Sequence, residues 1–255
     1  LVVVSHGRSG KPGASADVLR ERGGALPGAS GHGSTFQRGQ VTVHDWSYDS
    51  TSYGHLDGFL GAGGSFDNPV PGNDRPRVLV LPTWCWGDPD DRGLLLGKRW
   101  HAAFELLSQS CEIVLSPHPF SSETDIAAFR DAIHARVVSS NGRSFESVPA
   151  ANVVVCDLSG VFWESLLFDT PVILAAGSAN IAWSADLPPS LEAVREVVPI
   201  VAPGELVDTV LEALQARRPQ QRRLAEARLG RIDGKATKGT ADRIRALVAA
   251  RERPS

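Results

Sequence analysis

From about residue 76 onward, short apolar runs alternate with stretches of helical spacing. Residues 78–81, 111–115, 153–155, 172–174 and 197–201 are near-continuous apolar segments rich in β-branched side chains. Each is too short for a helix and reads as a strand buried on both faces. Between them, residues 92–107 set Leu95, Leu96, Trp100, Ala103, Phe104 and Leu107 at helical spacing. Ser122, with Asp125 three residues later, resembles a capping box and opens a helix to about residue 138. Residues 161–168 are helix-like until Pro171 stops them, residues 205–216 place Leu206, Val210, Leu211 and Leu214 on one face, and residues 237–246 keep a helical register. Strand–helix alternation of this kind predicts an α/β fold with a Rossmann-like, doubly wound parallel sheet.

The first third is less regular. Residues 1–4 form a buried-strand candidate and residues 41–46 another strand. Residues 25–39 are Gly/Ser-rich and read as a loop, and residues 47–75 as a long loop or interdomain linker. The expected division is an N-terminal segment with linker at 1–75 and a nucleotide-binding domain at 76–255, with no internal repeat.

Composition changes this picture little. The 255 residues are 42% hydrophobic, enough for a sizeable core. No run of 18 apolar residues exists that would span a membrane. The chain starts on an apolar strand pattern without a basic region or cleavage site, so no signal peptide is read there. It contains no methionine, which points to a fragment or a processed chain. Cys85, Cys111 and Cys156 sit in or beside apolar runs without metal or disulfide spacing, as core thiols of a reducing cytosol would. His32, His44 and His55 likewise lack ligand spacing, and no metal is expected.

Charge is more informative. Residues 217–253 hold twelve basic and four acidic side chains, so this segment carries +8 within a chain of net charge −3. Such a tail can face an anionic substrate, a membrane surface or nucleic acid; the plain alternative is a solvated arginine-rich helix surface.

The candidate chemistry centres on residues 152–175. A buried strand ends in Asp157-Leu158-Ser159-Gly160 and feeds directly into a helix carrying Glu164. In α/β proteins this arrangement holds an anion: glycine allows close backbone approach, and free N–H groups point at the ligand. The plain alternative is a strand–turn–helix in a core. Two other strand ends carry histidine, at Ser5-His6-Gly7 and at Ser116-Pro117-His118-Pro119. Either histidine also reads as an ordinary turn residue.

Asp157, Ser159, Val161, Glu164 and Pro171 resemble the Asp-x-Ser-Ser-Val…acid…Pro segment of the CDP-glycerol glycerophosphotransferase family, the GT-B-fold enzymes of teichoic-acid synthesis. The UDP-N-acetylglucosamine 2-epimerases carry a similar Asp-Ser-Gly-Gly…Glu…Pro segment. Pro82-Thr83-Trp84 is similar to the first family's Ala-Pro-Thr-Phe, while His118-Pro119 and Asp233-Gly234-Lys235-Ala236 resemble elements of both families. His6-Gly7, with Lys11, resembles the start of the glycerophosphotransferase His-Gly-Thr-Pro…Lys element. Gly160 stands where that family has a second serine, and Phe162-Trp163-Glu164 replaces the epimerase Gln-Glu-Glu.

The resemblance implies a GT-B nucleotide-binding domain with an incomplete acceptor-side portion. It implies transfer of a glycerol-phosphate group from CDP-glycerol, as substrate rather than cofactor, to a hydroxyl on a lipid-linked or polymer acceptor. His6 would be the base and His118 would contact the diphosphate. Pro119, Asp157, Ser159, Gly160, Glu164 and Lys235 would bind the nucleotide. The alternatives are a UDP-sugar glycosyltransferase or epimerase, or a nucleotide-binding module without activity. The expected location is cytoplasmic, at the inner face of the cell membrane if the basic tail meets anionic lipid, with no nucleic-acid partner.

Overall fold

The computed structural model describes residues 35–38, 41–44, 54–67, 74–83, 95–138, 144–157, 160–175, 191–215, 220–229 and parts of 232–249. The chain divides into two compact units, and the larger comprises Phe66–Ala182 with Leu191–Ala225.

In the smaller unit, β1 (Thr35–Arg38) and β2 (Val41–His44) form an antiparallel hairpin, Thr35 opposite His44. A helix, Gly54–Gly61, follows. Both β1 and this helix lie where the sequence reads as loop. The two residues between the strands suit a tight hairpin, and Leu56, Phe59 and Leu60 sit at helical spacing among the glycines.

The larger unit is built on a parallel sheet of β3 (Arg77–Leu81), β4 (Glu112–Leu115), β5 (Arg136–Val137), β6 (Val153–Cys156), β7 (Val172–Ala175) and β8 (Ile200–Val201), in the order β5-β4-β3-β6-β7-β8. From β3 the chain steps outward to β4 and β5, returns beside β3 as β6, and steps the other way to β7 and β8. This is the doubly wound Rossmann-like order, and its switch point lies between β3 and β6.

The register separates the two faces of the sheet. Val78 and Val80 lie level with Ile113 and Leu115 on one side and with Val153 and Val155 on the other. These residues share one core with Trp100, which ends the 3₁₀ turn just before the helix His101–Ser108, with Phe104 and Leu107 of that helix, with Phe129 of the helix Glu123–Ile133, and with Leu206 and Val210 of the helix Leu206–Ala213. The alternate residues Leu79, Val114, Val154 and Cys156 point to the other face and are equally buried. The 3₁₀ segment Ser144–Ala150 packs against β3 and the helix Gly160–Ser165, and Phe145, Val148, Phe162 and Trp163 are fully buried there. Layers on both faces explain why these strands read as unbroken apolar runs.

Several elements differ from the sequence pattern. The expected helix at 92–107 begins with a 3₁₀ turn at Lys98–Trp100, after a turn at residues 95–97. The helix opened by Ser122 ends at Ile133, not near residue 138, because His134 takes a left-handed φ of 55° and residues 136–137 pair with β4. Ser122 does cap it, its hydroxyl accepting the Asp125 N–H at 3.4 Å. The helix after β6 spans Gly160–Ser165 rather than 161–168. Part of the 197–201 run ends a helix, Leu191–Val197, leaving two residues for β8.

The amino-terminal edge of the sheet is held by charged side chains. Glu112 at the start of β4 accepts from Arg77 Nε and Arg136 Nε, each at 2.8 Å. Asn152 Oδ1 accepts the Arg77 N–H at 2.8 Å. Polar side chains of the opposite, carboxyl edge form the candidate site.

Candidate functional site at the carboxyl edge of the sheet

All six strands are parallel, so their carboxyl ends share one edge. Thr83 follows β3, Ser116-Pro117-His118 follows β4, and Asp157 follows β6, which brings the candidates His118 and Asp157 to the same edge.

Asp157 is 2% exposed, and its carboxylate is occupied by the chain itself. Oδ1 accepts the Thr83 N–H at 2.7 Å and Oδ2 the Leu95 N–H at 3.4 Å. Both donors are buried, and the carboxylate gives these peptide groups a charged acceptor. It ties the end of β3 to the end of β6 across the switch point. The pairing of Asp157 with Thr83 and Leu95 is not visible in the sequence, because a backbone donor leaves no side-chain signature. The neighbouring Cys156 thiol is fully buried, and burial first, then the Asp157 charge, pushes its pKa well up, so it is an inert core thiol.

His118 lies in a tight turn. Its carbonyl accepts the Ser121 N–H at 2.8 Å, and its Nδ1 accepts the Phe120 N–H at 3.1 Å. With Nδ1 occupied as an acceptor, a neutral imidazole here would carry its proton on Nε2. His118 is half-buried and Pro119 is exposed. Ser116 is 1% exposed, and its Oγ has no hydrogen-bond partner among the described residues.

Beyond Asp157, Gly160 is the first residue of the six-residue helix Gly160–Ser165, and Glu164 is half-buried one turn along it. Lys235 is exposed in the turn after Gly234, which has φ +74°, and its N–H donates to Asp233 Oδ1 at 3.1 Å. The structure therefore places Lys235 in the smaller unit, in a turn that the Asp-Gly pair shapes by itself. His6 and Ser159 lie outside the described residues, as do Trp84 and Cys85. Among the described residues no group of three or more His, Cys, Asp or Glu side chains could hold a metal ion. No described helix is long and apolar enough to cross a membrane.

No family model matches this chain, and no curated protein does. Among solved structures it is similar to the wall teichoic acid polymerase TagF, at 17% identity and a TM-score of 0.43, over 79% of this chain and 49% of that one. It is similar to a UDP-GlcNAc 2-epimerase from Neisseria meningitidis bound to UDP-GlcNAc, at 11% identity and a TM-score of 0.44, over 77% of this chain and 49% of that one. An α,α-trehalose-phosphate synthase (UDP-forming) from Burkholderia vietnamiensis matches at 12% identity and a TM-score of 0.42, over 94% of this chain and 57% of that one. The chain thus spans about half the length of these structures, and likenesses of this size identify no activity.

Proposed function

We propose that this chain is the nucleotide-binding part of a GT-B-type transferase that moves a glycerol-phosphate group from CDP-glycerol to a hydroxyl acceptor. The observation that carries the reading is His118 at the carboxyl edge of a doubly wound sheet, with Nδ1 occupied by the Phe120 N–H, so that a neutral ring would carry its proton on Nε2. A histidine N–H at the carboxyl edge of such a sheet suits the oxygens of a diphosphate. The resemblance of residues 157–171 to the glycerophosphotransferase segment supports the choice of reaction.

On this reading Ser159 and the N–H groups around Gly160 hold the diphosphate, His118 donates to it, and Glu164 accepts from the ribose. Pro119 shapes the His118 turn and Asp157 the strand ends, while Lys235 adds positive charge. An acceptor hydroxyl, losing its proton to His6, attacks the phosphorus that bears glycerol. A new P–O bond forms, the bond to CMP breaks, and CMP leaves with the electron pair. The protein's part in such a transfer is positioning and charge neutralisation. The basic segment 217–253 would face an anionic acceptor or lipid surface.

The test is CMP release from CDP-glycerol in the presence of a lipid-linked or polyol-phosphate acceptor. His118→Ala should lower turnover by at least tenfold, and His6→Ala should abolish turnover while nucleotide binding persists. Gly160 favours a second reading, a UDP-sugar enzyme, because the epimerase segment has glycine there. Release of UDP from UDP-N-acetylglucosamine, with no CMP from CDP-glycerol, would replace the first reading by the second.

A further inference from the structure

The helices His101–Ser108 and Leu206–Ala213 pack side by side over one face of the sheet. Both start at the carboxyl edge and run towards the amino edge, the first between β3 and β4, the second after β8. At about 3.6 residues per turn, their buried faces fix which flanks meet. In the first helix Ala103, Phe104 and Leu107 face the core, and His101 lies on the flank that touches Phe129 of the helix Glu123–Ile133, the rings 5.7 Å apart. Leu106 lies on the opposite flank, turned to the second helix. There Leu206, Val210 and Ala213 face the core, and Val207, Leu211 and Leu214 share the flank turned back to the first. Val207 and Leu214 are partly buried, while Leu106 is 55% and Leu211 44% exposed. The seam is an apolar groove with Val207 and Leu214 as its floor and a leucine on each side, each the sixth residue of its helix.

The rim of this groove is acidic. Glu105 sits on the crest of the first helix and Asp208 on that of the second, with Glu212 a turn further on, all exposed. Neither helix contains a lysine or arginine, and the three acids form no ion pair among the described residues. Lys98 and Arg99 lie before the groove, in the 3₁₀ turn that precedes the first helix. We infer that the groove docks a basic amphipathic helix of a partner protein. Apolar side chains one turn apart on that helix seat between Leu106 and Leu211, and its lysines or arginines meet Glu105 and Asp208. Charge decides among the occupants. The rim repels an anionic lipid surface or nucleic acid, and a second copy presenting this same face would set acid against acid. A basic helix satisfies both the leucines and the carboxylates. The inference does not rest on the donor-site reading.

The experiment is a fluorescence-anisotropy titration of the full chain against a labelled synthetic peptide of leucine and lysine, about 14 residues long and patterned as one amphipathic helix. A peptide of the same composition in scrambled order is the control. Two double variants are compared with wild type, Leu106→Ser with Leu211→Ser, and Glu105→Lys with Asp208→Lys. All four side chains are exposed, so both variants should keep a melting temperature close to that of wild type. Wild type should bind the patterned peptide roughly tenfold more tightly than the scrambled one, each double variant should lose roughly tenfold, and added salt should weaken binding. No binding of the patterned peptide, equal binding of the two peptides, or a serine variant that binds as wild type does would overturn the inference. So would sedimentation of wild type as a dimer and of the serine variant as a monomer, which would assign the groove to a second copy.

Discussion

Replacing Asp157 by alanine should destabilise the larger unit markedly. The change removes the acceptor of two backbone donors, Thr83 N–H at 2.7 Å and Leu95 N–H at 3.4 Å, from a place where Asp157 is 2%, Thr83 4% and Leu95 0% exposed. A buried donor left without a partner costs about 1–3 kcal/mol. The short, charge-assisted bond to Thr83 belongs near the top of that range, and the longer one to Leu95 near the bottom. Removing a buried carboxylate recovers some desolvation energy, so the net loss should be about 2–4 kcal/mol. Asp157→Asn keeps an oxygen for Thr83 but sets an amide NH2 against the Leu95 N–H, and should lose about half as much. Urea unfolding followed by tryptophan fluorescence reads both variants as a lower midpoint at unchanged slope. An Asp157→Ala midpoint within about 0.5 kcal/mol of wild type would refute the claim that this carboxylate holds the switch-point strands together.

Two further predictions concern stability away from the candidate site. Gln221 is 1% exposed, its Oε1 accepting the Val172 N–H at 3.2 Å and its Nε2 donating to the Val172 carbonyl at 3.1 Å, a place in the ladder that β8 starts too late to fill. Gln221→Ala should therefore cost about 2–3 kcal/mol in the same unfolding assay, and Gln221→Glu should not rescue it, because a carboxylate cannot donate. For Glu112, burial raises the carboxyl pKa, but hydrogen bonds from Arg77 and then Arg136 outweigh it and hold it below the usual 4.5. The unfolded chain then binds the proton more readily than the folded one. The stabilisation is full above about pH 4.5 and is lost as pH falls through the folded value. The group is partly exposed, so Glu112→Gln should cost about 1 kcal/mol or less at pH 7, and the gap should close in acid. A gap that widens below pH 4 would contradict the sign.

The parts of this fold legible from sequence are those where local pattern and tertiary burial agree. β3, β6 and β7 are covered on both faces, so each appears as an unbroken apolar run. Shorter elements escape because their cause is distant. β5 exists because residues 136–137 pair with β4, and the preceding helix ends at a histidine, not a glycine, in the left-handed conformation. The helix Gly54–Gly61 is hidden by its glycines, which argue locally for loop.

The candidate site divides in the same way. His118 and Asp157 were both visible as polar residues following apolar strands. That Asp157 spends its carboxylate on two peptide groups was not, since its partners lie 74 and 62 residues away and are backbone.

The most direct test of the account is a thermal-shift comparison of CDP-glycerol, CDP, UDP and UDP-N-acetylglucosamine on the full chain, since a ligand that binds only the folded state raises its melting temperature. The account predicts stabilisation by CDP-glycerol and CDP that exceeds any effect of the uridine compounds and is reduced in His118→Ala. A preference for UDP-N-acetylglucosamine, or no shift with any of the four, would contradict it.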